Sequence, residues 1–248
     1  MSSPAPILRP RVLLLLACAS LLATVGCRNL SGRPKAHSEI TRPDQVSDFA
    51  TLYADNCSAC HGSNGKNAAA IALNNPVYLA VAGAANIQRI TAAGVSGTAM
   101  PPFAKSSGGM LTDQQITILA QQRVQRWGRP DALGGQTAPP FASTGPGNAA
   151  QGEKAFATFC ARCHGADGAG TSVNGVTIGS VVDPSYLALI TDQGLRSVIL
   201  AGQTEQGAHD WRSYVSGHPM TDQEINDTVA WLASHRIATP GQPYAQRQ

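Results

Sequence analysis

The sequence predicts a mainly α fold, built as two copies of one small helical module in tandem. Three observations predict it. Asn75-Pro76-Val77-Tyr78-Leu79-Ala80 leads to Gly94 with the spacing by which Asp183-Pro184-Ser185-Tyr186-Leu187-Ala188 leads to Gly202, and self-similarity of that kind marks a duplicated unit. Leu111-Thr112-Asp113-Gln114-Gln115-Ile116 is answered by Met220-Thr221-Asp222-Gln223-Glu224-Ile225, and in both copies Thr with Gln or Glu three residues on has capping-box spacing ahead of a helix. Between the copies, Gly128 to Ala150 is dense in Gly, Pro, Ala and Ser, the composition of a linker.

The chain of 248 residues has room for two small domains. At 43% hydrophobic and 13% charged it is globular, with 25 Gly and 16 Pro pointing to many loops. A domain of about 80 residues buries little surface and usually needs a metal, disulfide or other staple.

At the amino terminus, residues 1–27, Arg9 and Arg11 precede an apolar or small run from Val12 to Gly26, the layout of an export signal. The run is shorter than the roughly 20 residues a bilayer span needs. Thr24-Val25-Gly26-Cys27 resembles a bacterial lipobox, which implies cleavage before Cys27 and a lipid on its sulfur. Thr24 departs from the Leu usual there, and ordinary cleavage or an uncleaved anchor helix are the alternatives. Cys18 leaves with the signal. Residues 28–44 lack periodicity and read as a flexible tether, with His37 on the surface.

The first module spans 45–127. Val46, Phe49, Ala50 and Tyr53 run at helical spacing into Cys57, and Ile116, Leu119, Val124 and Trp127 give the closing helix one apolar face. The linker takes 128–149. In the second module, 150–237, Phe156 and Phe159 lead to Cys160, and Ile225, Val229 and Leu232 form the matching face. Residues 238–248 are a C-terminal tail, and His235 reads as a surface residue without a ligand role.

Both leading helices run into the same motif: Cys57-Ser58-Ala59-Cys60-His61 and Cys160-Ala161-Arg162-Cys163-His164. C-x-x-C-H reads as a c-type haem attachment site. Cysteines three apart share one face of a helical turn and can each add to a vinyl group of one porphyrin, while the next residue sets an imidazole against iron. The competing readings are a redox dithiol and a four-cysteine zinc site. Neither accounts for a His after each pair in an exported chain, where free dithiols oxidise.

With these motifs, each half resembles a class I cytochrome c domain, over about residues 45–127 and 150–237. The resemblance implies two covalently bound haem c groups, with His61 and His164 as proximal ligands. It also implies a sixth ligand in the loop before the closing helix, commonly Met followed by Pro. Thr98-Ala99-Met100-Pro101-Pro102-Phe103 matches, which makes Met100 the sixth ligand of the first haem and Met110 a packing residue. Counting back from the capping Thr sets His209, in Gly207-Ala208-His209-Asp210-Trp211, opposite Met100. Met220, the single Met of that half, is the alternative, with His218 or an open site behind it. Met220 abuts the helix cap at the place of Leu111, which favours a core role. The family further suggests a Pro carbonyl as acceptor for each proximal ring, with Pro76 and Pro184 in position. Trp127 and Trp231 are expected in the core and Trp211 at the second haem edge.

The formal charge of +3 falls to near neutral once the signal leaves, and haem propionates would add negative charge, which argues against nucleic acid as a partner. The expected function is single-electron transfer between redox proteins at the periplasmic face of a membrane, either as a carrier or as a subunit of a respiratory or photosynthetic complex. A dihaem peroxidase-like enzyme is the alternative. No signalling domain follows the haem motifs to support a sensor.

Overall fold

The fold is that of a computed structural model, which describes residues 41–173 and 175–238. The export signal, Cys18, Cys27, His37 and most of the tether and tail lie outside the described residues. Within the described residues no helix is long and apolar enough to cross a membrane.

In the first module, α1 (Phe49–Asn56) starts where Asp48 accepts from Thr51 N at 2.8 Å, which satisfies one of the open N–H groups of the first turn. It ends at Cys57, and a second short turn, α2 (Ser58–His61), carries the rest of the motif. Gly62 closes that turn at φ +79°, and a Cβ there would stand 2.0 Å from the Lys66 carbonyl oxygen, so only glycine fits. Next comes α3 (Pro76–Ala93), with Asn75 capping it and Pro76 at its first position, where a missing N–H costs nothing. The left-handed Gly83 breaks α3 into two segments. The closing helix α4 (Asp113–Trp127) has the full capping box between Thr112 and Gln115. It packs on α1 through Trp127, whose ring meets Phe49 at 5.6 Å and Tyr53 at 5.1 Å, both edge-on.

The second module repeats the plan with α5 (Ala149–Phe159), α6 (Ala161–His164), α7 (Pro184–Leu189), α8 (Asp192–Ala201) and α9 (Asp222–Ser234). The two segments of α3 correspond to the separate α7 and α8. Thr221 and Glu224 complete the second capping box. An addition is the hairpin β1 (Thr171–Val173) and β2 (Val176–Ile178), antiparallel, with Gly175 at φ +78° in its turn. The α5–α9 crossing is the tightest approach. A Cβ on Gly152 would lie 1.9 Å from the Asp227 carbonyl oxygen, so the helix backbones nearly touch. Trp231, 8% exposed, stacks near Phe156 at 4.2 Å.

The linker is fastened rather than loose. Arg196, 2% exposed, donates to the carbonyls of Pro140 and Phe141, to Asn226 Oδ1 and to Asp222, so the buried guanidinium has acceptors on several sides. Phe141 is buried and its ring meets Tyr78 of the first module at 6.3 Å. Asn75 joins the modules directly: besides capping α3, its amide donates to the carbonyls of Ala201 at 3.0 Å and Gly202 at 3.2 Å.

Candidate haem-attachment sites

Each motif sits on a short turn that follows its leading helix directly, with the first cysteine acting as both the C-cap of one helix and the N-cap of the next. Cys57, Cys60, Cys160 and Cys163 are all free thiols. Cys57 is buried and Cys60 exposed; Cys160 is half-buried and Cys163 exposed. Burial pushes the Cys57 thiol up, and pushes Cys160 up to about 12 with Cys163 adding to it. Among the described residues no three His, Cys, Asp or Glu side chains gather as a metal cage, so the four cysteines do not converge as a zinc site would need.

His61 ends its turn with Nδ1 2.9 Å from the carbonyl oxygen of Ile71. A carbonyl only accepts, so Nδ1 donates, the ring is fixed, and Nε2 carries the free lone pair. Burial holds the imidazole below its ordinary pKa, against the opposing effect of the Ile71 bond, so the ring is neutral and suited to a metal. His164 is also lowered by burial. The backbone of Gly179 favours its protonated form, yet the geometry falls short of a hydrogen bond, and His164 Nδ1 is the buried side-chain polar atom left without a partner among the described residues. The acceptor for His61 therefore comes from the loop before Asn75, and neither Pro76 for His61 nor Pro184 for His164 serves as one. That expectation fails because Pro76 is committed as the first residue of α3.

The loops that face these turns can be aligned by their backbone hydrogen bonds. In the first, Val95 N donates to Met100 O at 3.0 Å and Thr98 N to Val95 O at 3.2 Å; in the second, Gln203 N donates to Ala208 O at 3.1 Å and Gln206 N to Gln203 O at 2.8 Å. The left-handed glycines ahead of them agree. A Cβ on Gly94 would meet Met100 O at 2.8 Å, and one on Gly202 would meet Ala208 O at 2.7 Å. Ala208, not His209, stands where Met100 stands. His209 takes the place of Pro101 and is exposed. Counting from the helix cap goes wrong because the stretch from Ala208 to Met220 is one residue longer than that from Met100 to Leu111.

Residues 149–236 match the family model described as cytochrome c, and residues 44–121 match the one described as cytochrome C oxidase, cbb3-type, subunit III. The chain is a c-type cytochrome with two cytochrome c domains. No curated protein matches the cytochrome. Among solved structures it is similar to a chain of the reducing HAO-like protein complex of Kuenenia stuttgartiensis, at 15% identity and a TM-score of 0.42, covering 80% of this cytochrome and 100% of that chain.

Cytochrome c domains bind haem c covalently, and the residues of this cytochrome fit that group. Free cysteines share a turn, His61 is oriented with Nε2 available, and the second ring, His164, is held with a buried Nδ1 that lacks a partner.

The remaining residues of the cytochrome fall in distinct places. Met220 is in the core, 1% exposed, with its N–H on the Trp211 carbonyl at 2.9 Å, as Leu111 bonds Phe103. Met110 is 80% exposed and is not a packing residue. His218 faces solvent, 3.2 Å from Glu224, with its ring edge-on to Phe159. Trp211 is buried, with Arg212 over its ring at 4.8 Å. His235 is half-buried, its Nδ1 on the Trp231 carbonyl at the end of α9. Sequence reasoning missed Ile71, which acts through its backbone carbonyl and leaves no trace in residue type.

Proposed function

We propose that this cytochrome carries single electrons on two haem c groups, one in each domain, between redox partner proteins on the periplasmic side of a bacterial membrane. The observation that carries the reading is the repeated turn in which two free cysteines precede an imidazole, with His61 held through Nδ1 to Ile71. Haem c supplies an iron that cycles between ferric and ferrous states. The chain supplies the rest. Cys57 with Cys60 and Cys160 with Cys163 would fix each group, and His61 and His164 would present Nε2 to it. Met100 would supply a thioether in the first domain, a ligand that favours the reduced state. Burial around both imidazoles keeps them neutral and limits water, so few polar groups reorganise when charge arrives. No acid–base constellation beyond this is needed for electron transfer, and on that ground the reading is a carrier rather than an enzyme.

Haem staining after denaturing electrophoresis, with a haemochrome count, tests it. Replacing Cys57 and Cys60 together with Ser is expected to halve the haem per chain. Haem that extracts into acid–acetone, or a count unchanged by the double replacement, would overturn the reading.

The membrane address belongs to the same proposal. Cys27 would carry a lipid, and the segment after it would let the domains face the periplasm beside a respiratory or photosynthetic complex. Cys27→Ser is expected to move the protein to the soluble fraction or leave an unprocessed precursor, measured by fractionation and labelled fatty acid. Unchanged membrane partition without label would remove the lipid anchor.

A further inference from the structure

We propose that the second domain contributes no side-chain sixth ligand and that its haem, resting on the two-haem reading above, offers an exchangeable position to a small exogenous ligand such as a diatomic gas. The two domains place their loops by the same backbone bonds from Gly94 and Gly202 onward, and the residue at the ligand position is Met100 in one and Ala208 in the other. A methyl group has no lone pair to give. The imidazole of His209 is one position too late. The chain there is non-helical and bridges Gln203 at Ala208, and in extended backbone successive side chains point to opposite sides, so the slip by one turns the ring away from the side that Met100 takes.

The other donors of the loop are engaged. Asp210 accepts from Arg212 N, Nε and Nη2 at 3.0, 2.9 and 2.6 Å. Met220 is locked in the core at the place of Leu111, and His218 lies beside Glu224 on the surface. Tyr214 is half-buried, and burial raises its phenol above the ordinary value, which disfavours the phenolate. The loop is also held at its base from outside the domain, since Asn75 binds the carbonyls of Ala201 and Gly202. A loop anchored there has little freedom to slide by one residue and bring His209 into place.

The test uses the full-length holo-protein matured in a host that attaches haem c, reduced with dithionite and exposed to carbon monoxide. The haem count comes first: one haem per chain would overturn the proposed function and this inference with it. With two haems present, carbon monoxide is expected to shift the Soret band of half of them, and the ferric protein to show one low-spin and one high-spin signal by electron paramagnetic resonance. Ala208→Met is expected to abolish the carbon monoxide response and strengthen the near-infrared sulfur-to-iron band. His209→Ala and Tyr214→Phe are expected to leave the responding fraction unchanged. Met100→Ala, which leaves the second domain untouched, is expected to extend the response to all of the haem. Two haems with no carbon monoxide response in the wild type, a response that appears first in His209→Ala or Tyr214→Phe, or a response at both wild-type haems would each overturn the inference while leaving the two-haem carrier intact.

Discussion

Gly152→Ala is expected to destabilise the second domain by about 3 kcal/mol, the upper end of overpacking costs. Taken alone, α5 would gain nearly 1 kcal/mol from the change, because alanine is the better helix former. The new methyl group, however, would stand 1.9 Å from the Asp227 carbonyl oxygen and 2.7 Å from Trp231 Cβ. Neither is the free end of a side chain, so the helices themselves must part, and Phe156 and Trp231 lose their packing. Against a total stability of roughly 5–15 kcal/mol for a domain, that is a large fraction. Urea titration followed at the second haem and by tryptophan fluorescence measures it. A midpoint equal to or above the wild type would mean that α5 and α9 do not cross as described.

Met100→His is expected to lower the reduction potential of the first haem by on the order of 0.2 V, since a second imidazole replaces the thioether that favours ferrous iron. The effect should be confined to one haem, because Met100 lies in the loop anchored at Gly94 and Val95 of the first domain. The sulfur-to-iron near-infrared band should vanish with it. An unchanged potential, with the band still present, would assign the thioether to another residue.

The features that were legible in the sequence are those written in side chains at short range. Both C-x-x-C-H turns, both capping boxes and the duplication follow from residue identity and spacing, and the helices begin where Thr112 and Thr221 place them. The family assignment of the two halves followed from the same residues. The hairpin was overlooked although its signal was present: Val173-Asn174-Gly175-Val176 sets Asn-Gly between β-branched residues, a two-residue turn signature.

The sixth-ligand register failed for a different reason. Counting from Thr221 crosses a loop with one extra residue, whereas counting forward from Gly202 by the interval that joins Gly94 to Met100 lands on Ala208. The nearer landmark was the better one, because the left-handed glycine and the bonds after it fix the backbone locally. What no count could have supplied are the contacts of backbone atoms. Ile71 beside the His61 imidazole and the Pro140 and Phe141 carbonyls that receive Arg196 act through groups common to every residue. The fastening of the linker was not legible for that reason: Gly and Pro describe its chain, not the arginine that holds it.

On the proposed function, this cytochrome stores electrons singly, one on each of two covalent haems. A potentiometric titration of the purified holo-protein, followed optically with a haemochrome count on the same sample, tests it most directly. Two electrons are expected to enter each chain in two one-electron steps, each accompanied by the spectrum of a different haem. A single two-electron wave without haem spectral change, as a cysteine dithiol would give, or one haem per chain reduced in one step, would contradict it.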